Sequence, residues 1–230
     1  MAKLCIIPAR GGSKRIPKKN IFFFLGKPII AYSIEAALNS GLFDAVMVST
    51  DDAEIAEIAK NYGAKVPFMR SNKTADDYAT TFEVIEEVLL QYQKINEVFE
   101  YTCCLYACAP FVTEVKLKEA FNLLQNKKFD SVFPLMPFGF PIQRALQKKE
   151  NKVSFFYPEY SLTRSQDLET SFHDAGQFYW LNTAVCLEQR QILTNNSGSI
   201  VLSELEGQDI DTEVDWKLAE LKYELLQSIK

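Results

Sequence analysis

Cys5-Ile6-Ile7-Pro8-Ala9-Arg10-Gly11-Gly12-Ser13-Lys14-Arg15-Ile16-Pro17-Lys18-Lys19-Asn20 is the stretch whose reading decides the fold. A short apolar run reaches Pro8, a Gly-Gly turn follows, and five of the ten residues from Arg10 to Lys19 are Arg or Lys. The run from Lys3 to Pro8 reads as a buried strand that stops at the glycines. The first 34 residues carry seven cations and no carboxylate, whereas the other 196 carry 18 cations against 30 acids. One basic loop on an otherwise acidic chain needs a local cause. Glycines let backbone N–H groups approach an anion, and Arg and Lys neutralise it. A polyphosphate is the natural ligand. The loop matches neither G-x-x-x-x-G-K-[ST] nor G-x-G-x-x-G, which argues against an ATPase or a dehydrogenase.

The rest of the composition is ordinary, with 47% apolar and 24% charged residues in 230. That supports one folded domain over residues 1–230, with an excursion at 137–170. A net charge of -5 argues against general nucleic-acid binding. Apolar stretches are too short to span a membrane, and Leu4-Cys5-Ile6-Ile7 is too short for the core of a signal peptide. The five cysteines are odd in number and lack Cys-x-x-Cys spacing, and the chain has one histidine. Buried reduced thiols in a cytoplasmic protein are expected rather than a zinc site.

Strand and helix patterns alternate outward from the opening strand. Pro28 to Asn39 reads as a helix ended by Gly41, and Ala45 to Ser49 as a strand. Asp51-Asp52-Ala53-Glu54 has capping-box spacing before a helix that Gly63 closes. Thr80 to Gln93 and Val115 to Leu124 read as helices, and Tyr101 to Tyr106, Ser131 to Leu135 and Phe178 to Asn182 as strands. Thr212 is expected to cap a last helix. This alternation predicts a mostly parallel sheet with helices on both faces, and a ligand beyond the carboxyl ends of its strands. After Met136, the segments Ile142 to Leu146 and Val153 to Phe156 read as a hairpin around Lys148-Lys149-Glu150-Asn151. Its many aromatics fit either a contact with a second subunit or packing on its own sheet.

Three further constellations bear chemistry. In Gln208-Asp209-Ile210-Asp211-Thr212, two carboxylates one residue apart face the same side of an extended segment. They suit Mg²⁺ held jointly with substrate phosphates, although capping is an alternative for Asp211. Thr163-Arg164-Ser165-Gln166-Asp167 and Phe172-His173-Asp174-Ala175-Gly176-Gln177 concentrate groups that read hydroxyls and a carboxylate. Arg144, beside Gln143, suits an anionic sugar or an acid on a partner.

These residues resemble a known family. Ile7 through Asn20 is similar to the opening signature of the CMP-sugar synthetases that activate nonulosonic acids, and the likeness runs through Ser49-Thr50-Asp51-Asp52, Phe68-Met69-Arg70 and Gln208-Asp209-Ile210-Asp211. The sialic acid branch has Gln-Pro-Thr-Ser-Pro where this chain reads Tyr106-Ala107-Cys108-Ala109-Pro110. It also has Arg-Pro-Asn-Gly-Ala-Ile-Tyr where this chain reads His173 to Tyr179. Phe140 to Leu146, Thr163 to Leu168 and His173 to Trp180 look instead like the branch that activates pseudaminic acid, whose product is a donor for bacterial surface and flagellar glycans.

The resemblance implies a Rossmann-like three-layer α/β/α nucleotidyltransferase, with CTP and a nine-carbon sugar acid as substrates, Mg²⁺ as cofactor, and a homodimer formed through a protruding dimerisation arm. It implies nucleotide binding by Ala9, Arg10, Gly11, Gly12, Ser13, Lys19, Asn20, Arg70, Ala79, Thr80 and Thr81. Sugar contacts fall to Tyr106, Gln143, Arg144, Arg164, Gln166, His173, Asp174 and Gln177, and the metal to Asp209 and Asp211. Arg10, Lys19 and Asp211 would carry catalysis. The base stays open between a carboxylate such as Asp211 and hydroxide delivered with the metal. Rival readings are a synthetase for N-acetylneuraminic acid, legionaminic acid or Kdo, a metal-dependent glycosyltransferase, and a nucleotide sensor.

Overall fold

The Lys3–Pro8 run forms β1, and Leu4 through Ile7 are completely buried. In the computed structural model, which describes residues 1–229, β1 lies inside a seven-stranded sheet. It is followed by a small ribbon of β2 (Phe23–Phe24) and β3 (Lys27–Pro28), then α1 (Ile29–Ser40), β4 (Ala45–Ser49) and α2 (Ala53–Asn61). Next come α3 (Asn72–Ala75), α4 (Thr81–Lys94), β5 (Tyr101–Leu105), α5 (Glu114–Lys127) and β6 (Ser131–Pro137). The hairpin strands β7 (Leu146–Lys149) and β8 (Lys152–Phe155) precede β9 (Phe172–Asp174) and β10 (Phe178–Asn182). The chain then runs through α6 (Thr183–Gln189), β11 (Ser197–Val201) and α7 (Glu213–Ser228).

The sheet order is β11-β6-β10-β5-β1-β4, with β9 added alongside β6. Strands β1, β4, β5, β6 and β11 share one direction, and β10 and β9 run against it. The sheet is thus mostly parallel, with β10 inserted in reverse between β5 and β6.

Alternation along β1 divides the core. Cys5 and Ile7 join Ile30, Ile34, Ile55, Leu117 and Phe121, so α1, α2 and α5 cover that face. Leu4 and Ile6 join Phe82, Ile85, Val88 and Cys186, so α4 and α6 cover the other. The result is three layers, helix on sheet on helix. A third cluster gathers Ile16, Phe24, Ile29, Phe111, Ile210, Trp216 and Ala219. It pins α7 and the segment before it to the basic loop.

Helix starts follow the sequence closely, with one correction. Thr80 and Thr212 form capping boxes with Glu83 and Asp215. The expected box from Asp51 to Glu54 does not form. Asp52 is the cap, its carboxylate accepting from the Glu54 and Ile55 amides, and Asp51 is turned elsewhere. Helix α5 is longer than its apolar pattern because Thr113 caps it ahead of Val115.

The 137–170 excursion carries its hairpin, with a first strand that starts four residues later than expected and a second that starts one residue earlier. Ile142–Arg144 is a 3-10 turn, and the antiparallel pair is β7 with β8. No residue of β7 or β8 is buried, while Phe140 is 88% and Leu162 96% exposed. All five cysteines are free, and Cys108 alone among them is half-buried rather than buried. Among the described residues, no helix is long and apolar enough to cross a membrane.

Candidate active site

The loop leaving β1 is folded against its neighbours by backbone and amide contacts. The Ala9 amide donates to the Ser49 carbonyl at 2.9 Å. The Gly11 amide donates to Asp51 Oδ1 at 2.9 Å. A Cβ on Gly11 would stand 2.9 Å from Asp52 Oδ2 and 3.0 Å from Asp52 Cβ, so this close approach admits only glycine without displacement. Asn20 is buried. Its Nδ2 donates to the Arg10 carbonyl at 2.9 Å, and its Oδ1 accepts from the Cys108 thiol at 3.3 Å. Burial pushes that thiol up to about 12, so it stays protonated and able to donate. Lys18 takes a left-handed conformation (φ 52°), a strained choice for a non-glycine residue, and its ammonium is held by Glu54 of α2.

A cavity of about 650 Å³ opens beyond the carboxyl end of β1. Its wall includes Arg10, Ser13, Lys14, Arg15, Lys19 and Arg70, five cations against the two acids Asp76 and Asp77. Ala79, Thr81, Val84 and Tyr106 also line it. Thr81 and Tyr106 are joined by a hydroxyl hydrogen bond of 3.0 Å. Arg70 is buried, with its guanidinium donating to the Ser49 carbonyl at 2.7 Å and to Ser49 Oγ at 3.1 Å. Burial lowers its proton affinity, with Asp51 and Glu87 opposing that effect. Arg10 pairs with Asp77 at 2.7 Å and donates to the Asp76 carbonyl at 2.8 Å, and Lys14 also pairs with Asp77.

A second cavity of about 250 Å³ adjoins the first and shares Pro8, Lys19, Asn20 and Tyr106 with it. Ala107, Cys108, Gly176, Gln208, Asp209, Ile210 and Asp211 complete its lining. Buried Ile210 anchors the Asp-x-Asp segment in the third core cluster and leaves both flanking carboxylates on the cavity side. Lys19 Nζ donates to the Ile210 carbonyl at 2.7 Å and reaches Asp211 Oδ1 at 3.4 Å. Arg15 pairs with Asp211 at 2.8 Å. The basic loop and the carboxylate pair therefore share one cleft.

The chemistry of this pair fits a divalent cation. Burial, then the neighbouring Asp211 charge, raises the Asp209 carboxyl from its ordinary value. An added cation would offset the repulsion between the two carboxylates and favour their ionised forms. Among the described residues, no group of three or more His, Cys, Asp or Glu could hold a metal alone. A cation here would take two protein carboxylates and complete its shell with phosphate and water oxygens.

The remaining expected residues are distributed more widely. Thr80 caps α4 at the cavity edge, and Gly12 faces open space. Asp174 accepts from the Tyr179 hydroxyl at 2.5 Å and from the Gly176 amide at 2.8 Å, next to the second cavity. Gln177 is buried, with its amide donating to the Glu206 carbonyl at 2.7 Å. His173 is exposed against the Phe138 ring. Gln143 donates to the Glu169 carbonyl at 2.9 Å, Arg144 to Ser165 Oγ at 3.2 Å, and the Gln166 amide lies against Arg164. His173 and these four arm residues are outside the walls of both cavities.

Several cleft residues escape a sequence reading. Lys14 and Arg15 belong to the basic run but carry no individual mark there. Asp51, Asp76 and Asp77 reach the loop across 40 to 66 positions of chain, and no spacing rule signals that. Cys108 stands out only within the Tyr106–Pro110 segment, and nothing there signals its hydrogen bond to Asn20.

Known proteins resemble this chain in sequence and in fold. The chain is 45% identical over 226 residues to the pseudaminic acid cytidylyltransferase of Campylobacter jejuni serotype O:2, spanning 98% of this chain and 97% of that one. It is 34% identical to the CMP-N,N'-diacetyllegionaminic acid synthase of Legionella pneumophila, across 99% and 98% of the two chains. The fold is shared with a solved CMP:2-keto-3-deoxy-manno-octonic acid synthetase complexed with CTP, at a TM-score of 0.72 and 16% identity over 99% of this chain and all of that one. A family model described as "Cytidylyltransferase" matches residues 4–224. A match from β1 through α7 takes in both halves of the cleft, and this chain belongs to the cytidylyltransferase family of nucleotidyltransferases.

Proposed function

We propose that this protein couples CTP to pseudaminic acid, giving CMP-pseudaminic acid and diphosphate. The observation that carries the reading is the meeting of Lys19 with Asp211 in a cleft walled by the basic loop. Similarity to pseudaminic acid cytidylyltransferases over almost the full chain supports the choice of sugar.

In this reading the triphosphate lies along Arg10, Ser13, Lys14 and Lys19, with Gly11 and Gly12 allowing the backbone close to it. The cytidine extends toward Arg70, Ala79 and Thr81. The sugar enters the adjoining cavity beside Tyr106 and Gly176. Its 2-hydroxyl oxygen attacks the α-phosphorus, the bond from that phosphorus to the β-phosphate oxygen breaks, and diphosphate leaves. Arg10 and Lys19 stabilise the charge on the five-coordinate centre and on the departing diphosphate. We assign the hydroxyl proton to a carboxylate of the pair, Asp211. Mg²⁺ held by Asp209 and Asp211 would supply further charge neutralisation at the phosphates.

The 137–170 excursion is read as a dimerisation arm. Its Phe140, Leu146, Val153 and Phe156 are exposed apolar side chains, which supports that reading. A homodimer would also bring Gln143, Arg144, Arg164, Gln166 and His173 close to a sugar site. Reduced thiols and the use of CTP fit a cytoplasmic enzyme.

A panel assay tests the function. Purified protein with CTP and Mg²⁺ is offered pseudaminic, N-acetylneuraminic, legionaminic and Kdo acids, and diphosphate release is measured. The highest kcat/KM is expected with pseudaminic acid. A preference for another acid would reassign the substrate. Absence of CTP-dependent diphosphate release with all four would overturn the synthetase reading in favour of a glycosyltransferase or sensor.

A further inference from the structure

Five cations of the basic loop lean on carboxylates of the same chain, and they divide into unlike sets. Lys18 is tied to Glu54, away from the cavity walls. Arg15 and Lys19 share Asp211. Arg10 and Lys14 share Asp77, one Asp77 oxygen facing each cation. All of Arg10, Lys14 and Asp77 line the main cavity.

The two shared carboxylates differ in what surrounds them. Asp211 has Asp209 two residues away on the same side, so a divalent cation arriving with the substrate could replace Arg15 and Lys19 there. Asp77 has no such companion. The neighbouring Asp76 carboxylate caps its own turn through Oδ1, which accepts from the Tyr78 amide at 2.9 Å and the Ala79 amide at 2.8 Å. If phosphates draw Arg10 and Lys14 away, Asp77 is left as a bare negative charge beside a polyanion.

Resting on the CTP reading above, we propose that Asp77 is a positioning residue that holds Arg10 and Lys14 as an internal stand-in for phosphate, and that the nucleotide must take both cations from it. Asp77 then sets the cleft's affinity for the triphosphate and keeps product diphosphate from lingering. The pairs are partly exposed, with side-chain exposures of 34% for Arg10, 78% for Lys14 and 37% for Asp77. Such pairs are weak individually, so exchange is feasible, and loss of both is expected to change affinity by about three- to tenfold.

Calorimetric titration of the full-length protein with inorganic triphosphate, without metal, tests this. Asp77→Asn should bind it about three- to tenfold more tightly than wild type, and Asp77→Glu, which keeps the charge, should resemble wild type. In turnover, Asp77→Asn should lower the KM for CTP and lower the inhibition constant of diphosphate by similar factors. Weaker or unchanged triphosphate binding in a folded Asp77→Asn protein would overturn the proposal, because a residue that merely braces the loop would weaken binding when removed. If Asp77→Asn does not fold, Asp77→Ser is titrated in its place under the same criterion. Because the probe is triphosphate itself, this outcome is separate from the sugar panel. CTP turnover with no gain in triphosphate affinity sinks the Asp77 role alone, and a gain in affinity without any turnover sinks the synthetase reading alone.

Discussion

Lys19 and Asp211, separated by 192 positions of chain, meet at 3.4 Å across the floor of the cleft. The contact is enforced from below by apolar packing: Ile16 of the basic loop and Ile210 of the Asp-x-Asp segment sit in one buried cluster with Trp216. Charge and core thus converge on the same place. The carboxylate is expected to be chemically essential and structurally dispensable. Asp211→Asn should lower kcat by about two to three orders of magnitude, as losing one charge-stabilising group typically does, with little change in melting temperature. Arg10→Ala should behave alike. Steady-state kinetics alongside thermal unfolding check both, and full activity in either variant removes that residue from the mechanism.

Gly11 is expected to be intolerant of a side chain. Gly11→Ala would set its methyl against Asp52, the cap of α2, and should destabilise the protein by about 1–3 kcal/mol through overpacking. It should also raise the KM for CTP by tilting the loop. Asp51→Ala removes the acceptor for the Gly11 amide and should cost about 1 kcal/mol. Urea unfolding midpoints measured with CTP kinetics distinguish these effects from a neutral turn.

Glu87 gives a pH signature of folding. Burial raises this carboxyl, yet hydrogen bonds from Thr74 and from the Ser71 amide and hydroxyl, with the Arg70 charge, outweigh burial and leave it lowered. A lowered carboxyl contributes stability above its unfolded value of about 4.3, and that contribution disappears as pH falls through and below that range. The stability gap between wild type and Glu87→Gln should therefore be present at pH 7 and close as pH drops from about 5 toward 3. An unchanged gap across that window in chemical denaturation would show that the ionised form is not what holds Ser71 and Thr74.

The arm is expected to associate. Phe140→Asp combined with Phe156→Asp should convert a dimer to a monomer in sedimentation velocity without loss of helix content, since neither side chain is buried within the subunit. A dimer that survives both changes would place the interface elsewhere.

A sugar contact is proposed for His173. His173→Ala should raise the KM for the sugar acid by about two- to tenfold, the worth of one hydrogen bond, and leave the KM for CTP nearly unchanged. Parallel KM determinations decide it, and an unaltered sugar KM would remove His173 from recognition.

Much of this molecule is local in origin and was therefore legible in the chain. The apolar run ending at Pro8, the caps Thr80 and Thr212, the left-handed Gly41 and the strands Ala45–Ser49 and Phe178–Asn182 all follow from side-chain periodicity and backbone preference over a few residues. The basic loop was likewise legible as a cluster of charge, because its five cations fall within ten residues. Tertiary structure alone decided the reverse direction of β10, since a run of buried residues looks the same read either way along the sheet. It alone made Asp52 rather than Asp51 the helix cap, because the Gly11 amide competes for Asp51 from across the fold. It also chose which acid faces each cation: Asp77 for Arg10 and Lys14, Asp211 for Arg15 and Lys19. Ion pairs between distant segments are set by how the core brings loops together, and that packing has no counterpart in short-range spacing.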